Sequence, residues 1–273
     1  MDERRLMITH PEARDLPALK QLWMDTFGDP PALIDAFFGS FSPAVHGWIV
    51  KQGDEILSSA YLLLGNHFSD RQQYQPAAYV YAVATPAQHR KNGYAGMLMR
   101  HFTNLAQERD LLLYTMPASL GLFHWYAETL KTVPSAPMLT RSLDCRSLTQ
   151  SASVHPMTAE EYGAKRASIL KQEPHILLSD AFLRLQETYL RMERGGFYSI
   201  GDSIFACEMH EDDLVIKELL PQSAVTEPLL QSLMHNFSAS RVHWTEPAED
   251  GNPLVAFRGK GVSPKTVWGL LLD

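Results

Sequence analysis

The chain has 273 residues, enough for two modest domains or one large one, and a globular composition of 45% hydrophobic and 20% charged residues. Two cysteines, Cys145 and Cys207, lie far apart and form no CxxC pair, which excludes a disulfide framework, argues against a metal site and fits a reducing compartment. The net charge of −7 is uneven: residues 1–150 carry 13 Lys/Arg against 14 Asp/Glu and residues 151–273 carry 11 against 17, a balance that argues against nucleic acid as a partner.

The start, Met1-Asp2-Glu3-Arg4-Arg5, is charged and lacks an apolar signal core, so a soluble, cytoplasmic protein is expected. Arg5 to Thr9 reads as a short strand, His10 to about Asp25 as a helix with Leu16, Leu19, Leu22 and Trp23 on one face, and Ala32 to Phe41 as a second helix. Gly47 to Lys51 and Glu55 to Leu64 form a hairpin around Gln52-Gly53-Asp54. A long apolar strand, Ala77 to Thr85, is closed by Pro86, and a helix comes next over Met97 to Glu108. Leu111 to Leu130 contains Pro117, Gly121, His124 and Glu128, so it reads as strand, turn and helix rather than a membrane span. Pro137 to Ser142 is expected to be the last strand of this half.

The most informative segment lies between the long strand and its helix: His89-Arg90-Lys91-Asn92-Gly93-Tyr94-Ala95-Gly96. A basic, glycine-bearing turn between strand and helix aims backbone N–H groups and a helix N-terminus at one spot, which suits a phosphate. The spacing Arg-x-x-Gly-x-Ala, after Val-Ala-Thr-Pro, resembles the pyrophosphate-binding signature of the GCN5-related N-acetyltransferase (GNAT) superfamily over roughly residues 5 to 140. A basic turn with no ligand is the plain alternative. The resemblance implies an α/β fold, a mixed central sheet flanked by helices, with acetyl-CoA as co-substrate and no metal.

Residues 143–153 are polar and read as a linker, after which the order of elements recurs. Val154-His155-Pro156 echoes Thr9-His10-Pro11. Thr158 to Leu170 is a helix opened by a capping box with Glu161, Ser179 to Met192 a second helix, and Phe197 to Glu208 a strand region. Leu214 to Leu220 is a strand closed by Pro221, Pro228 to Phe237 a helix, and Val242 to Trp244 a strand; Leu254 to Phe257 and Thr266 to Leu272 close the chain. Two domains are expected, an acetyl-CoA-binding domain over 1–145 and a degenerate GNAT-like module over 146–273. After Pro221 the sequence is Gln222-Ser223-Ala224-Val225-Thr226-Glu227, without Arg, Lys or Gly, so the second module should not bind coenzyme A.

The resemblance assigns roles. Backbone of Val83, Ala84 and Thr85 would pair with the pantetheine arm, and one N–H of Val83 or Ala84 would polarise the thioester carbonyl. Arg90, Lys91, Asn92, Gly93, Tyr94 and Ala95 would hold the diphosphate, with Gly93 allowing close approach. Tyr126 would act on the departing thiolate. His124 points elsewhere on the same helix, and His46 and His67 near strand ends read as structural. The tandem arrangement also resembles multi-domain aminoglycoside acetyltransferases of the Eis type, whose terminal carboxylate enters the active site; here that would be Asp273, with a last core strand the plainer reading. The expected activity is direct acetyl transfer to a small-molecule or peptide amine. A non-catalytic acyl-CoA sensor is the alternative, and a dinucleotide enzyme is disfavoured by the absence of Gly-x-Gly-x-x-Gly and Walker motifs. The amine, the general base and the oligomeric state stay open.

Overall fold

The computed structural model describes residues 5–69, 71–146, 152–260, 262–263 and 266–270. They divide into two compact units, one of residues up to Ser135 with Val255–Val262, the other of Ala136–Leu254 with described residues from 263 to 270. The first unit contains β1 (Leu6–Thr9), α1 (Leu16–Phe27), α2 (Pro31–Ser40), the short α3 (Pro43–His46), β2 (Gly47–Gln52), β3 (Glu55–Phe68), β4 (Tyr74–Ala84), α4 (Tyr94–Glu108), β5 (Leu112–Thr115), α5 (Leu120–Thr129) and β6 (Val133–Pro134). The second contains β7 (Pro137–Asp144), β8 (Val154–Met157), α6 (Ala159–Ile169), β9 (His175–Leu177), α7 (Asp180–Met192), β10 (Gly196–Ile200), β11 (Ser203–His210), β12 (Asp213–Leu220), α8 (Glu227–Phe237), β13 (Arg241–Pro247) and β14 (Asn252–Pro253). The chain then returns to the first unit with β15 (Ala256–Arg258).

In the first unit the sheet order is β1-β2-β3-β4-β5-β15-β6, with β4 and β5 parallel. Strand alternation sends successive β4 side chains to opposite faces. Ala78 and Val80 pack with Leu98, Met99, Phe102 and Ala106, the apolar stripe of α4, and with Tyr126 of α5. Leu19 and Leu22 of α1 cover the other face over Ile49, Ile56 and Ala84. Helix α1 stops at Gly28, whose φ of 77° is the left-handed geometry of a helix end. Asp15, just before α1, closes a capping box with Glu12 and forms a buried ion pair with Lys51 at 3.2 Å.

The second unit has sheet order β14-β7-β13-β12-β11-β10-β8. Its first helix opens on the expected box: the Thr158 hydroxyl accepts from Glu161 N–H, and the Glu161 carboxylate accepts from Thr158 N–H. Arg166 and Glu218 form a buried pair in which Nε and Nη2 of Arg166 donate to Glu218 at 3.0 to 3.2 Å, joined by the Tyr162 hydroxyl at 2.7 Å. Satisfying both charges in this way offsets much of their desolvation cost. Cys207 is buried and its thiol is pushed up to about 12 by that burial, so it is an unreactive core thiol; Cys145 is exposed and also free.

Three strands differ from the sequence reading. Pro137–Asp144 does not close the first sheet; it pairs with β13 of the second from Met138↔Pro247 to Asp144↔Arg241. Ala256–Arg258 lies in the first sheet, between β5 and β6. Residues 266–270 form no strand beyond a single bridge at Val267 to His175. Sheet membership depends on partners remote in sequence, and alternation within one segment carries no record of them. The region 197–208, read as one strand area, is the β10–β11 hairpin. No described helix is long and apolar enough to cross a membrane.

Candidate active site

The site is built where β4 outruns β5. The two strands pair only at Ala77–Leu112, Ala78–Leu113 and Tyr79–Tyr114, yet β4 continues to Ala84. Residues 80–84 thus lose their β5 neighbour, and side chains serve carbonyls around the gap. Thr115 Oγ1 donates to Val80 O at 2.9 Å, Ser58 Oγ donates to Ala84 O at 2.9 Å, and Arg90 Nε donates to Thr85 O at 3.2 Å. Buried backbone groups need such partners, so these side chains serve carbonyls of the far half of β4 and the turn after it where β5 no longer does.

β4 also carries a bulge. Tyr61 pairs with Tyr81 and Ser59 with Ala84, so Ala82 and Val83 face the single residue Ala60. Ala82 has φ of 47°, uncommon for a residue with a Cβ. A bulge redirects the side chains of the strand beyond it. Val83 therefore packs on the α4 side, as Val80 does, and Ala84 on the α1 side. The bulge was not anticipated from sequence; a small residue before the strand end is its one trace.

Past Pro86 the chain makes a 3₁₀ turn, Ala87–His89, in which His89 bonds Glu55 Oε1 at 2.7 Å. Lys91 and Gly93 have φ of 67° and 82°. Gly93 is the N-cap of α4, no side chain caps it, and the first helical bond is Met97 N–H to Gly93 O at 3.0 Å. The N–H groups of Tyr94, Ala95 and Gly96 consequently have no carbonyl before them in the helix. A Cβ on Gly93 would meet nothing within 4 Å, so glycine is demanded there by φ and not by crowding within the protein. Arg90, Lys91, Asn92 and Gly93 are exposed, and Tyr94 and Ala95 half-buried. Arg100 was not singled out from sequence. Its Nη1 lies 3.5 Å from where a Cβ on Gly96 would stand, so it adds a cation one turn into the helix. The four-residue spacing was the available signal. An exposed cradle of unpaired amides with cations beside it fits a diphosphate.

Tyr126 is buried in the core of this unit, and its phenol is pushed up to about 12 by burial, with a hydrogen bond to the Thr115 side chain opposing the shift. Thr115 is the residue that bonds Val80 O, so the Tyr126 hydroxyl is one hydrogen bond from the gap. It stays protonated at neutral pH and can donate. His124 is exposed, His46 bonds Leu62 O at 3.1 Å, and His67 is buried. Asp273 lies outside the described residues. No group of three or more His, Cys, Asp and Glu among the described residues is placed to hold a metal.

The second unit repeats this geometry in outline. β12 pairs in parallel with β13 only at Asp213–Val215, and its own bulge adds Lys217 opposite the Ala206–Cys207 step. β12 then ends before Pro221, and a 3₁₀ turn, Gln222–Ala224, leads to α8. The start of that helix is closed. Thr226 Oγ1 accepts from Leu229 N–H at 3.4 Å, Pro228 has no N–H to offer, and Glu227, paired with Arg146 at 2.8 Å, adds a negative charge. A Thr226→Ala variant is expected to lose about 1 kcal/mol of stability with the loss of this cap. A midpoint in urea unchanged from the parent would show that the cap carries nothing.

The sequence matches the Acetyltransferase (GNAT) domain over residues 8–126. No curated protein matches it. Among solved structures, a GCN5-related N-acetyltransferase from Kribbella flavida superposes with a TM-score of 0.70 at 15% identity, over 93% of this chain and 71% of that one. One from Anabaena variabilis gives 0.70 at 15%, over 93% and 72%. Eis1 from Mycobacterium abscessus gives 0.59 at 10%, over 92% and 66%. These likenesses establish a shared fold. The match to the GNAT domain falls within the first unit, and the solved structures share the fold.

Proposed function

We propose that the protein transfers an acetyl group from acetyl-CoA to an amine, by direct attack in a ternary complex. The observation that carries this reading is the open, uncapped start of α4 beside the gap between β4 and β5. Amides of Tyr94 and Ala95, with Lys91, Asn92 and the Nη groups of Arg90, would hold the diphosphate; Gly93 keeps the approach clear. The free edge at Val83, Ala84 and Thr85 would take the pantetheine amides as a sheet edge takes a strand. Bound there, the coenzyme supplies a thioester with a good leaving group. An N–H of Val83 or Ala84, re-aimed by the bulge, polarises the carbonyl oxygen. Tyr126 holds a proton for the departing sulfur. The acceptor is a small-molecule or peptide amine, and the protein is expected in the cytoplasm.

The test is thiol release from acetyl-CoA across a panel of amines, with calorimetric titration of coenzyme A alongside. Amine-dependent release is expected, with a stoichiometry near one, because α8 is closed. Binding without release for any amine would favour a sensor. A stoichiometry near two would show that the second unit also binds.

A further inference from the structure

Five aromatic rings meet on the face of the first sheet opposite α4: Trp23 from α1, Phe37 and Phe38 from α2, Tyr61 from β3 and Tyr81 from β4. Their centroids lie 4.6 Å apart for Trp23–Phe37, 5.2 Å for Phe37–Tyr61, 5.7 Å for Trp23–Tyr81 and 5.9 Å for Phe38–Tyr61. Tyr81 is the last paired residue before the bulge, and Phe38 packs against the cluster that contains Ala84. The rings therefore stand at the gap, across the sheet from the turn that would hold the diphosphate. Trp23, Phe37 and Tyr61 are buried, while Phe38 and Tyr81 form a half-buried rim.

One feature of this cluster is unexplained by packing. The Tyr61 hydroxyl has no hydrogen-bond partner among the described residues, although the residue is only 1% exposed. Burial raises its phenol well above the usual range, so it keeps its proton. Phenylalanine would fill the same space without leaving a polar atom dry, and buried polar groups are otherwise nearly always paired. On the acetyl-transfer reading, an amine lodged on the face opposite α4 would meet a thioester threaded through the gap. That is the face these rings line.

Resting on the acetyl-transfer reading above, we propose that the Tyr61 hydroxyl oxygen accepts an N–H of the acceptor amine, leaving the nitrogen lone pair free for the thioester carbonyl, and that the rings around it select a primary amine carried on an aryl or alkyl body. The rings close over Tyr61 in this structure, so admission of the amine requires Phe38 at the half-buried rim to turn aside. Ring faces attract an ammonium group and bury an apolar body. Beyond the tyrosine hydroxyls the rings offer no hydrogen-bond partners, so the several hydroxyls of an amino sugar or the further charges of a polyamine would enter at a desolvation cost.

The test compares 2-phenylethylamine, hexylamine, spermidine and glucosamine as acceptors for the parent and for Tyr61→Phe. The two monoamines are expected to have the highest kcat/KM. In the variant their KM should rise roughly three- to tenfold, as for one lost hydrogen bond, with kcat and acetyl-CoA affinity nearly unchanged and Tm equal or higher. An unchanged amine KM with a raised Tm would make the hydroxyl a packing defect and overturn the proposal. So would a preference for spermidine or glucosamine. If coenzyme A does not bind at all, the acetyl-transfer reading itself fails, and calorimetry with 2-phenylethylamine alone then decides. Weaker binding to Tyr61→Phe than to the parent keeps the amine site, and absence of binding to the parent removes it.

Discussion

A Tyr126→Phe variant is expected to turn over about 10²–10⁴-fold more slowly than the parent, the usual loss for a general acid, or roughly 3–5 kcal/mol of transition-state stabilisation. The ring stays, so its packing against Leu98, Phe102 and Leu113 is preserved. The loss is of the proton beside Thr115, at the point where β4 and β5 part. Acetyl-CoA affinity should hardly change, because the amides and cations proposed to hold the diphosphate lie at the other end of the gap. The measurement is single-turnover thiol release with a saturating amine, so that chemistry is observed and not product departure. A rate within about twofold of the parent would make Tyr126 a core residue only.

Gly93→Asp should cost at least about a hundredfold in coenzyme A affinity, several charge-assisted hydrogen bonds being lost together. The fold should survive it. A Cβ at Gly93 meets nothing within 4 Å, so the cost is the backbone strain of a side chain at φ 82°, which aspartate bears better than most residues. The new carboxylate would stand beside the first amides of α4, where a negative charge is favoured by the helix N-terminus. Those are the amides assigned to the phosphates, so the same change would set a negative charge against the phosphates, as Glu227 would at α8. A Tm lowered by no more than a few degrees with lost binding, read by thermal melts and calorimetry, is the expected pair. Arg90→Glu should act in the same direction through charge. Unchanged affinity in both variants would sink the assignment of this turn.

The helices and the long strands of each half could be read directly from the chain. α1 and α4 show apolar residues at three- and four-residue spacing, and the Thr158–Glu161 box announces its helix by local chemistry alone. The signature turn was equally legible, because proline, glycine and two cations occupy fixed offsets within eight residues. Features that require a remote partner escaped. Ser58 and Thr115 look like ordinary strand residues until each is seen bonding a carbonyl in the far half of β4, 26 and 35 residues away. The bulge at Ala82 depends on register with β3. Tyr61 is one tyrosine among ten until its hydroxyl is found dry.

The placement of β15 between β5 and β6 sets a schedule for synthesis. A chain emerging from the ribosome exposes its N-terminal portion first, and domains generally fold as they appear. Here the sheet that would carry the coenzyme cannot be completed from residues 1–135, since its missing rung is Ala256–Arg258. Until that segment emerges, β5 and β6 present unpaired edges of the sort that recruit other chains. Completion must wait while well over a hundred intervening residues are made, and the contact that ends the wait spans Ser135 to Val255. Nascent chains arrested before residue 256 should therefore be more sensitive to protease than those arrested beyond the end of β15, even though most of the signature-bearing unit has already left the ribosome.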